Sequence, residues 1–551
     1  MAAVPAGPAT ETIELPSDAT WLGHPVGLFL LFLVEMWERF SYYGMRALLV
    51  LYLIARTTGD ENGFNPGRGW SEGDASSLYG WYTGLAYLFP IFGGMIADKF
   101  IGTHRSMLVG GTLISIGHII LGISGLGDME HSAAGMSLFV TGLAAIVLGT
   151  GHFKPTVSVM VGQLYAQGDP RRDAAYTIFY MGINLGAFLC AFICGTLGEK
   201  VGWHWGFGSA AVGMILGMIA YMIGRPTFLG RIGEAPRGDA TRISWMFLCL
   251  SLALSAAFGW IYHAGGVNSL QNGIAKLQSS PALWHSIQAA VVLAVLAWAV
   301  LFVRKNAPED RGPVTTILIF MLFNAVFWLA FEQAGSSINV FTKDEVDRQV
   351  PLIQVASNAD DAAGPKVPFE VPATWFQSVN AAFIILLAPI MSAVWIWLGR
   401  RRMNPSQPVK IFWGLFFLGI GYLFTVWAGV LAAPDDAKAG MWLIVATYFW
   451  HTVGELCVSP TGLSYVTKAA PKQYVSLLMG LYFVSSFIAN LGGGLIASRV
   501  EAIERGEVKL PWNFGGRADF FFLFVVSSFG AAALVLALTP MLKKMMRSTA
   551  D

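Results

Sequence analysis

Fourteen long apolar stretches follow one another along this chain of 551 residues, and they limit its fold more than any other feature. A helix that crosses the hydrocarbon core of a bilayer needs about 20 consecutive, mostly apolar residues. The stretches that meet this need cover residues 26–55, 74–97, 105–125, 136–164, 174–198, 204–224, 242–264, 283–303, 313–341, 373–399, 409–433, 440–467, 473–499 and 518–544. The sequence therefore predicts an all-α polytopic membrane protein with fourteen spans.

The scarcity of charged residues supports the same fold class. Charged residues make up 13% of the chain and hydrophobic residues 55%, whereas a soluble globular protein carries about 25% charged residues. The apolar surplus must therefore face membrane lipid. The formal net charge of +1 gives no indication of a nucleic-acid partner.

All four cysteines, Cys190, Cys194, Cys249 and Cys457, fall inside apolar stretches. Cys190 and Cys194 have the i, i+4 spacing of a metal pair, but no histidine or carboxylate accompanies them. We therefore expect small buried apolar side chains, with neither a metal site nor a disulfide framework.

The distribution of basic residues predicts the orientation in the membrane. If the N-terminus lies inside, 20 of the 35 Lys and Arg residues fall on the cytoplasmic side and 12 fall outside, while Arg39, Arg46 and Lys154 lie within spans. Because loops rich in Lys and Arg stay in the cytoplasm, we expect both termini there. Residues 1–20 lack a basic region followed by an apolar core, so no cleaved signal peptide is predicted.

Two of the stretches, 242–264 and 283–303, contain no Lys, Arg, Asp or Glu in their interiors, and we interpret them as lateral helices that face lipid. Removing them leaves two sets of six spans. The predicted organisation is a disordered cytoplasmic tail at 1–22, a six-helix bundle at 23–225, a two-helix insertion at 226–311, a second six-helix bundle at 312–545 and a cytoplasmic tail at 546–551. The polar, proline-containing loop from Thr342 to Pro372 is expected to be irregular.

The first span contains an unusual concentration of charge. At about 100° per residue, one helical stripe collects two acids, two bases and a phenol, with Tyr43 at its edge. The stripe consists of Glu35, Glu38, Arg39, Tyr42 and Arg46. Each charge at membrane depth costs about 2.5–3.5 kcal/mol on insertion scales, so the stripe must line a polar interior. The alternative is an ion-pair network that only joins helices.

Single ionisable residues lie in three other spans. Lys154, between Gly151 and Pro155 in the fourth, needs an anionic partner unless it extends to the interface. Glu332 and Glu455 lie in the seventh and tenth core spans, either as functional acids or as partners that join a cation of the first bundle. A zwitterion would fit between these halves, its carboxylate at Arg39 and Lys154 and its ammonium at Glu455 and Asn380.

Several motifs resemble those of the proton-dependent oligopeptide transporter family of the major facilitator superfamily, and the resemblance spans nearly the whole chain. The first-span pattern Glu35-x-x-Glu38-Arg39-Phe40-x-Tyr42-Tyr43-Gly44 is similar to the family's most distinctive signature. Further similar segments are Phe179–Gly186, Phe331–Ser336, Trp375–Asn380 and Glu455–Gly462, and Gly93–Gly102 resembles a general superfamily loop.

The resemblance implies two six-helix bundles with alternating access, two extra helices as in bacterial members, and uptake of di- and tripeptides with protons across the cell (inner) membrane. It implies a transporter rather than an enzyme, no cofactor beyond the coupling protons, and a chain that acts as a monomer. The expected proton-coupling residues are Glu35, Glu38, Arg39 and Glu332. The expected substrate-binding residues are Arg39, Tyr42, Tyr43, Tyr87, Lys154, Asn184, Trp328, Asn380, Glu455 and Tyr482.

One position departs from the family pattern. Many relatives have Trp where this chain has Tyr482. We expect the side-chain pocket to differ in shape and to gain a hydroxyl group, which bears on substrate preference and not on the transport class.

Three alternatives remain at this point. The fold could carry another small solute such as nitrate or an organic anion, although Glu455 would repel an anion unless protonated. A membrane-embedded metalloprotease would need His-Glu-x-x-His, which the sequence lacks. A receptor or scaffold descended from a transporter would not need the full set of charges within the spans.

Overall fold

The computed structural model describes residues 16–60, 63–166, 168–236, 238–356, 366–434 and 437–546. Most of both predicted tails, residues 1–15 and 547–551, lies outside this described part. Residues 16–25 include a short antiparallel pair of strands, β1 (Thr20–Trp21) and β2 (His24–Pro25), directly before the first helix.

The first bundle is built from helices with polar starts and long apolar interiors. Its helices are α1 (Val26–Ile54), α2 (Glu72–Ile96), α3 (Gly102–Ile123), α4 (Ala133–Gln163), α5 (Arg172–Cys190), α6 (Thr196–Lys200) and α7 (Trp203–Phe228). Ser71 and Ser132 cap α2 and α4 by accepting hydrogen bonds from the backbone N–H groups of Asp74 and Gly135, at 3.0 and 2.9 Å. A π-turn at Ala191–Gly195 joins α5 to α6, so the two form one span.

The insertion consists of α8 (Thr241–His263), α9 (Gly266–Gln278) and α10 (Pro281–Lys305). α8 packs on α4 through small residues, and the Ser137 hydroxyl donates to the carbonyl oxygen of Gly259 at 2.7 Å. Apart from Phe302, the described side chains of α10 are not buried, as expected for a lipid-facing helix. The short helix α9, polar overall, was not predicted from the sequence.

The second bundle repeats the arrangement of the first with a broken seventh core span. Its helices are α11 (Pro308–Phe331), α12 (Ser337–Glu345), α13 (Gln377–Arg400), α14 (Gln407–Ala432), α15 (Met441–Ala469), α16 (Val475–Ala497), α17 (Val500–Glu504) and α18 (Ala518–Met546). A 3-10 turn at Glu332–Gly335 interrupts the segment between α11 and α12. The predicted continuous span over 313–341 is therefore two helices with Glu332 at their junction.

The loop from Thr342 to Pro372 corrects a prediction, because it is not irregular throughout. α12 extends to Glu345, and the strands β4 (Gln349–Ala356) and β5 (Lys366–Glu370) pair antiparallel. Val, Ile and Phe in these segments favour strands, which the polar and proline content of the loop concealed. Two further short strands, β3 (Val346–Asp347) and β6 (Ala439–Gly440), pair in parallel.

Within the described residues, twelve helical ranges are long and apolar enough to cross a membrane. One of them, residues 72–123, holds both α2 and α3, which meet at a π-turn over Ala97–Ile101. Gly102 follows this turn with φ +74°, where a side chain would also meet the backbone of Glu234. α1 has the length of a span but carries four charged side chains, so apolarity alone does not select it. The structure thus has a helix for each of the fourteen predicted spans.

The two bundles have separate apolar cores. Residues of α11–α18 form one core cluster, with Phe302 of the insertion at its edge, while two clusters lie mainly among α1–α7. The bundles meet where α2 faces α16 and where α5 faces α13. Gly80 and Gly494 allow the first of these approaches, since a Cβ atom on Gly494 would lie 2.5 Å from Cα of Gly80.

Candidate functional site

The charged turn of α1 forms one buried cluster. Nε of Arg39 lies 2.9 Å from Oε1 of Glu35 and 2.6 Å from Oε2 of Glu38. All three side chains are more than nine-tenths buried, and Glu38 is not exposed at all. The guanidinium carbon of Arg39 also lies 5.6 Å from the ring centroid of Tyr42. Two acids therefore share one base on the stripe that the sequence predicts.

A second ion pair of α1 crosses to the other bundle. Nη2 of Arg46 lies 2.7 Å from Oε2 of Glu332, and the two side chains are 7% and 4% exposed. Removing one partner of such a buried pair costs about 3–5 kcal/mol. The contact matches the alternative considered for Glu332, a carboxylate that joins a cation of the first bundle. The sequence analysis placed Arg46 on the charged stripe but assigned it no role.

Lys154 has an aromatic partner instead of the expected anionic one. Its Nζ lies 3.5 Å from the ring centroid of Tyr87, a cation–π contact between α4 and α2. No carboxylate of the described residues lies within 4.0 Å of this ammonium group. The helices approach closely here because Gly93 faces Gly151, where a Cβ atom on Gly93 would lie 2.0 Å from the Gly151 carbonyl oxygen.

Glu455 and Asn380 meet in the second bundle. Nδ2 of Asn380 donates to Oε2 of Glu455 and to Oγ1 of Thr452, both at 2.9 Å. Glu455 is 6% exposed, whereas Asn380 is half-buried. The pair joins α13 to α15, and Thr452 is a member that the sequence analysis missed, although it lies one turn before Glu455.

Two predicted residues make weaker or more local contacts. Nδ2 of Asn184 donates to the carbonyl oxygen of Tyr180 in its own helix at 2.9 Å, so this amide makes no bond to the charged groups. The ring of Tyr43 lies 5.7 Å from the guanidinium carbon of Arg46 and packs edge-on against Tyr42. These two tyrosines thus line the space between Arg39 and Arg46.

The aromatic residues Trp328 and Tyr482 are joined by Asn324, which the sequence analysis did not identify. Nε1 of Trp328 and the hydroxyl of Tyr482 both donate to Oδ1 of Asn324, at 3.1 and 2.8 Å. The Tyr482 hydroxyl is therefore engaged within the protein. A buried Asn four residues before Trp328 was the only sequence signal for this contact.

Helical spacing places these aromatic rings beside the charged groups. Glu332, four residues after Trp328, faces Arg46 of the opposite bundle. On α16, Tyr482 lies about three turns before Gly493, on the side of the helix where Gly493 packs against the Leu329 carbonyl oxygen of α11. On α2, Tyr87 lies about two turns after Gly80, on the same side of the helix. Tyr482 therefore faces α11, where Asn324 and Trp328 lie, while Tyr87 lies on the side of α2 that carries Gly80.

One end of the molecule is held closed by an acid-rich network around Arg517. Its guanidinium lies 3.0 Å from Glu72 of α2, 2.7 Å from Glu345 of α12, and just under 4 Å from Asp344 and Glu504. Burial disfavours the charged form, but the carboxylates, Glu72 foremost, raise the pKa of Arg517 above its ordinary value. Because Glu72 belongs to the first bundle, this network joins the bundles at what we name the closed end.

A second contact holds the same end on the opposite side. The carboxylate of Glu199 accepts hydrogen bonds from the backbone N–H groups of Ala373 and Thr374, at 3.1 and 2.8 Å, and from the Thr374 hydroxyl at 2.6 Å. Trp375 donates to the hydroxyl of Thr196 at 2.8 Å. Glu199 lies in α6, at the end of the span that α5 begins, where the sequence gives no signal of a cross-bundle role.

Potential metal ligands do not cluster in the described part of the chain. No group of three or more His, Cys, Asp or Glu side chains comes together there in a way that could hold a metal ion. The arrangement instead offers cations and acids of the first bundle opposite a carboxylate and an amide of the second.

Comparison with known proteins decides the family. The model of the POT family, PTR2, matches residues 104–512. The chain belongs to the POT family. It is 34% identical to the peptide transporter YePEPT of Yersinia enterocolitica over 88% of this chain and 90% of that protein. It is 35% identical to a di-/tripeptide transporter of Lactococcus lactis subsp. cremoris over 85% and 88% of the two chains.

Solved structures of POT proteins share the fold. A crystal structure of a POT peptide transporter in complex with sulfate has a TM-score of 0.73 and 32% sequence identity, covering 96% of this chain and 98% of the other. A POT family transporter in complex with 5-aminolevulinic acid has a TM-score of 0.72 and 27% identity, covering 95% and 98%. The major facilitator architecture expected from the motifs is therefore confirmed for this POT family transporter.

Proposed function

We propose that this POT family chain is a proton-coupled symporter that imports di- and tripeptides by alternating access. One observation carries the proposal, the charge polarity of the space between the bundles. Arg39 and Lys154 belong to the first bundle, while Glu455 and Asn380 belong to the second. A molecule with a carboxylate at one end and an ammonium group at the other matches this polarity.

Lys154 is the group best suited to the peptide carboxylate. Its ammonium is held against Tyr87 and has no carboxylate within 4.0 Å among the described residues, whereas Arg39 is already paired with two acids. A cation–π contact stabilises a cation by about 0.5–2 kcal/mol without neutralising it. Lys154 is therefore not paired with a carboxylate of the described residues and can contact an anionic ligand.

Glu455 is the group best suited to the peptide ammonium. One of its oxygens accepts from Asn380, and no cation of the described residues lies within 4.0 Å of it. A buried carboxylate without a cationic partner is costly, so an incoming ammonium group would be stabilised there. This reasoning also disfavours a simple anion as the substrate.

Proton coupling would use the acids that share cations. When Glu35 or Glu38 takes up a proton, Arg39 loses one of its two partners and becomes available to the peptide carboxylate. When Glu332 takes up a proton, the cross-bundle contact with Arg46 weakens and the closed end can separate. Proton and peptide affinities are then linked through these shared cations.

The direction of access follows from the loops at the closed end. Basic residues are sparser in the loops on this side, so the closed end lies outside if the positive-inside rule holds. The space between the bundles would then open to the cytoplasm, with both termini there and the protein in the inner membrane. Membrane lipid would cover α8 and α10, and a single chain would suffice for transport.

Counterflow in proteoliposomes tests the proposal. Vesicles loaded with unlabelled Ala-Ala should accumulate labelled Ala-Ala transiently, and the recovered label should be unchanged dipeptide, as expected of a transporter and not of a peptidase. An excess of nitrate or succinate should not compete. Accumulation that nitrate or succinate abolishes, or no accumulation of any dipeptide, would contradict the proposal in favour of another small solute.

A further inference from the structure

The buried amide of Asn324 holds both Trp328 and Tyr482, and its bonds have a defined direction. An indole N–H can only donate, so the amide atom that Trp328 contacts at 3.1 Å must be the oxygen. The Tyr482 hydroxyl lies 2.8 Å from the same oxygen and must donate as well. The hydrogen bonds of Asn324 therefore determine which of its two amide atoms is the oxygen and which is the nitrogen.

The other side of the amide completes the network. Nδ2 of Asn324 donates to the hydroxyl of Ser485 at 3.2 Å, and Ser485 donates its own proton to the carbonyl oxygen of Tyr482 at 2.7 Å. Asn324 and Ser485 are 3% and 7% exposed, so water does not compete for these bonds. The network links α11 to α16 and leaves Asn324 with a partner on each side.

This direction determines what the two rings can offer to a ligand. The indole N–H of Trp328 and the only proton of the Tyr482 hydroxyl are both donated to Asn324. Toward a ligand, the indole presents its ring face, and the phenol oxygen can only accept a hydrogen bond. A wall of this kind favours an apolar side chain over one that must accept hydrogen bonds.

We propose that Asn324 is a positioning residue that sets side-chain preference, directing both donors of Trp328 and Tyr482 inward so that the pocket selects apolar peptide side chains. The inference rests on the proposed peptide transport and adds a specificity determinant to it. It also refines the expectation that Tyr482 adds a hydroxyl group to the pocket, because the proton of that hydroxyl is donated to Asn324.

The test uses two nearly isosteric side chains, Leu and Asn, in competing dipeptides. Inhibition of labelled Ala-Ala counterflow is measured for Ala-Leu against Ala-Asn and for Leu-Ala against Asn-Ala. Wild-type protein should prefer the Leu peptide in at least one sequence order. Asn324→Leu releases two donors toward the pocket, so that preference should fall by roughly fivefold, the effect of about one net hydrogen bond.

Two further variants separate positioning from a general structural role. In a Tyr482→Phe background only the indole donor is released, so Asn324→Leu should change the preference less than it does in the wild-type chain. Asn490→Leu is the matched control, because it removes a buried amide of α16 whose Nδ2 donates within its own helix, to the Ser486 carbonyl oxygen at 3.0 Å. This control should leave the preference unchanged.

The outcomes distinguish this inference from the proposed function. If wild-type protein gives no Ala-Ala counterflow, the proposed function fails and the inference fails with it. A different outcome is intact wild-type counterflow with Asn324→Leu changing inhibition by all four dipeptides by the same factor, or changing inhibition by none of them. In that case only the inference is contradicted. An equal effect in the Tyr482→Phe background would also contradict it, because the two residues would then act independently.

Discussion

Arg46 of α1 and Glu332 at the junction of α11 and α12 form an ion pair that crosses from one helical bundle to the other, with 2.7 Å between Nη2 and Oε2. Both side chains are more than nine-tenths buried. Because Glu332 is also an acid that could take up a proton, one contact connects the closed arrangement of the bundles to the protonation state of a single carboxylate.

Removing the charge of Glu332 should destabilise the closed arrangement. Glu332→Gln leaves Arg46 buried and unpaired, at a cost of about 3–5 kcal/mol. The melting temperature of the purified protein should fall, and the double variant Arg46→Met with Glu332→Met should recover part of the loss. Glu234→Gln is the control, since its pair with Arg231 is exposed and worth about 0–1 kcal/mol. Equal shifts for Glu332→Gln and Glu234→Gln would show that the buried pair has no special role.

The acids beside Arg39 should separate proton coupling from peptide exchange. Glu35→Gln and Glu38→Gln each remove one of the two partners of this guanidinium. Each variant should lose accumulation driven by a pH gradient and keep counterflow at equal pH, because only the linkage to protons is removed. Both assays are run on the same vesicles. If both variants still accumulate peptide against its gradient, the proton passes elsewhere, and Glu332 is the next carboxylate to test.

Glu455 should recognise the amino end of the peptide. Glu455→Gln keeps the hydrogen bond from Asn380 but removes the negative charge. Affinity for Ala-Ala should fall by roughly tenfold or more, as expected for a lost charge-assisted contact. N-acetyl-Ala-Ala, which has no ammonium group, should be affected much less. Equal losses for the two ligands, measured by competition, would instead assign Glu455 a structural role.

Arg517 should hold the closed end shut. Arg517→Met leaves Glu72 and Glu345 facing each other without a cation, and their repulsion favours separation of α2 from α12. Ser76, fully buried one turn after Glu72, can report this opening as a single cysteine in a chain whose four native cysteines are alanine. Its labelling by an impermeant maleimide should accelerate about tenfold, the effect of roughly 1.4 kcal/mol.

The control for this prediction is Arg505→Met. Arg505 belongs to the same acidic region, but its side chain is 62% exposed and its ion pairs are within the second bundle, with Glu501 and Glu507. Labelling at position 76 should not change in that variant. Similar acceleration by both substitutions would attribute the effect to local charge and not to the cross-bundle bonds of Arg517.

The sequence was sufficient to predict the spans and the charged residues within them. Length and apolarity identify the spanning helices because a backbone in lipid must form its hydrogen bonds internally. Charged residues within these apolar segments are then easy to recognise in the sequence. Helical periodicity alone predicted that Glu35, Glu38 and Arg39 lie close together. The contact of Asn380 with Glu455 joins two helices, so helical periodicity could not predict it. The sequence indicated only that both residues would contact the substrate ammonium group.

Other features required the tertiary structure. Nothing in the sequence pairs Arg46 with Glu332 or Arg517 with Glu72, because such partners lie hundreds of residues apart and depend on how two bundles meet. Lys154 was expected to have an anion, yet a neighbouring helix supplies the ring of Tyr87 at 3.5 Å. The hairpin of β4 and β5 was missed because turn-forming and polar residues surround two short strand-forming segments. The roles of these site residues stay predictions until they are tested.

The most direct test of the account is the response of Lys154 to a ligand without a carboxylate charge. Competition against labelled Ala-Ala is measured for Ala-Ala and for Ala-Ala-amide, in wild-type protein and in Lys154→Ala. Wild-type protein should bind the amide at least about tenfold more weakly, whereas Lys154→Ala, folded as judged by its melting temperature, should lose Ala-Ala counterflow and bind both ligands equally weakly. Normal counterflow by Lys154→Ala, with the same discrimination against the amide as wild type, would contradict the account.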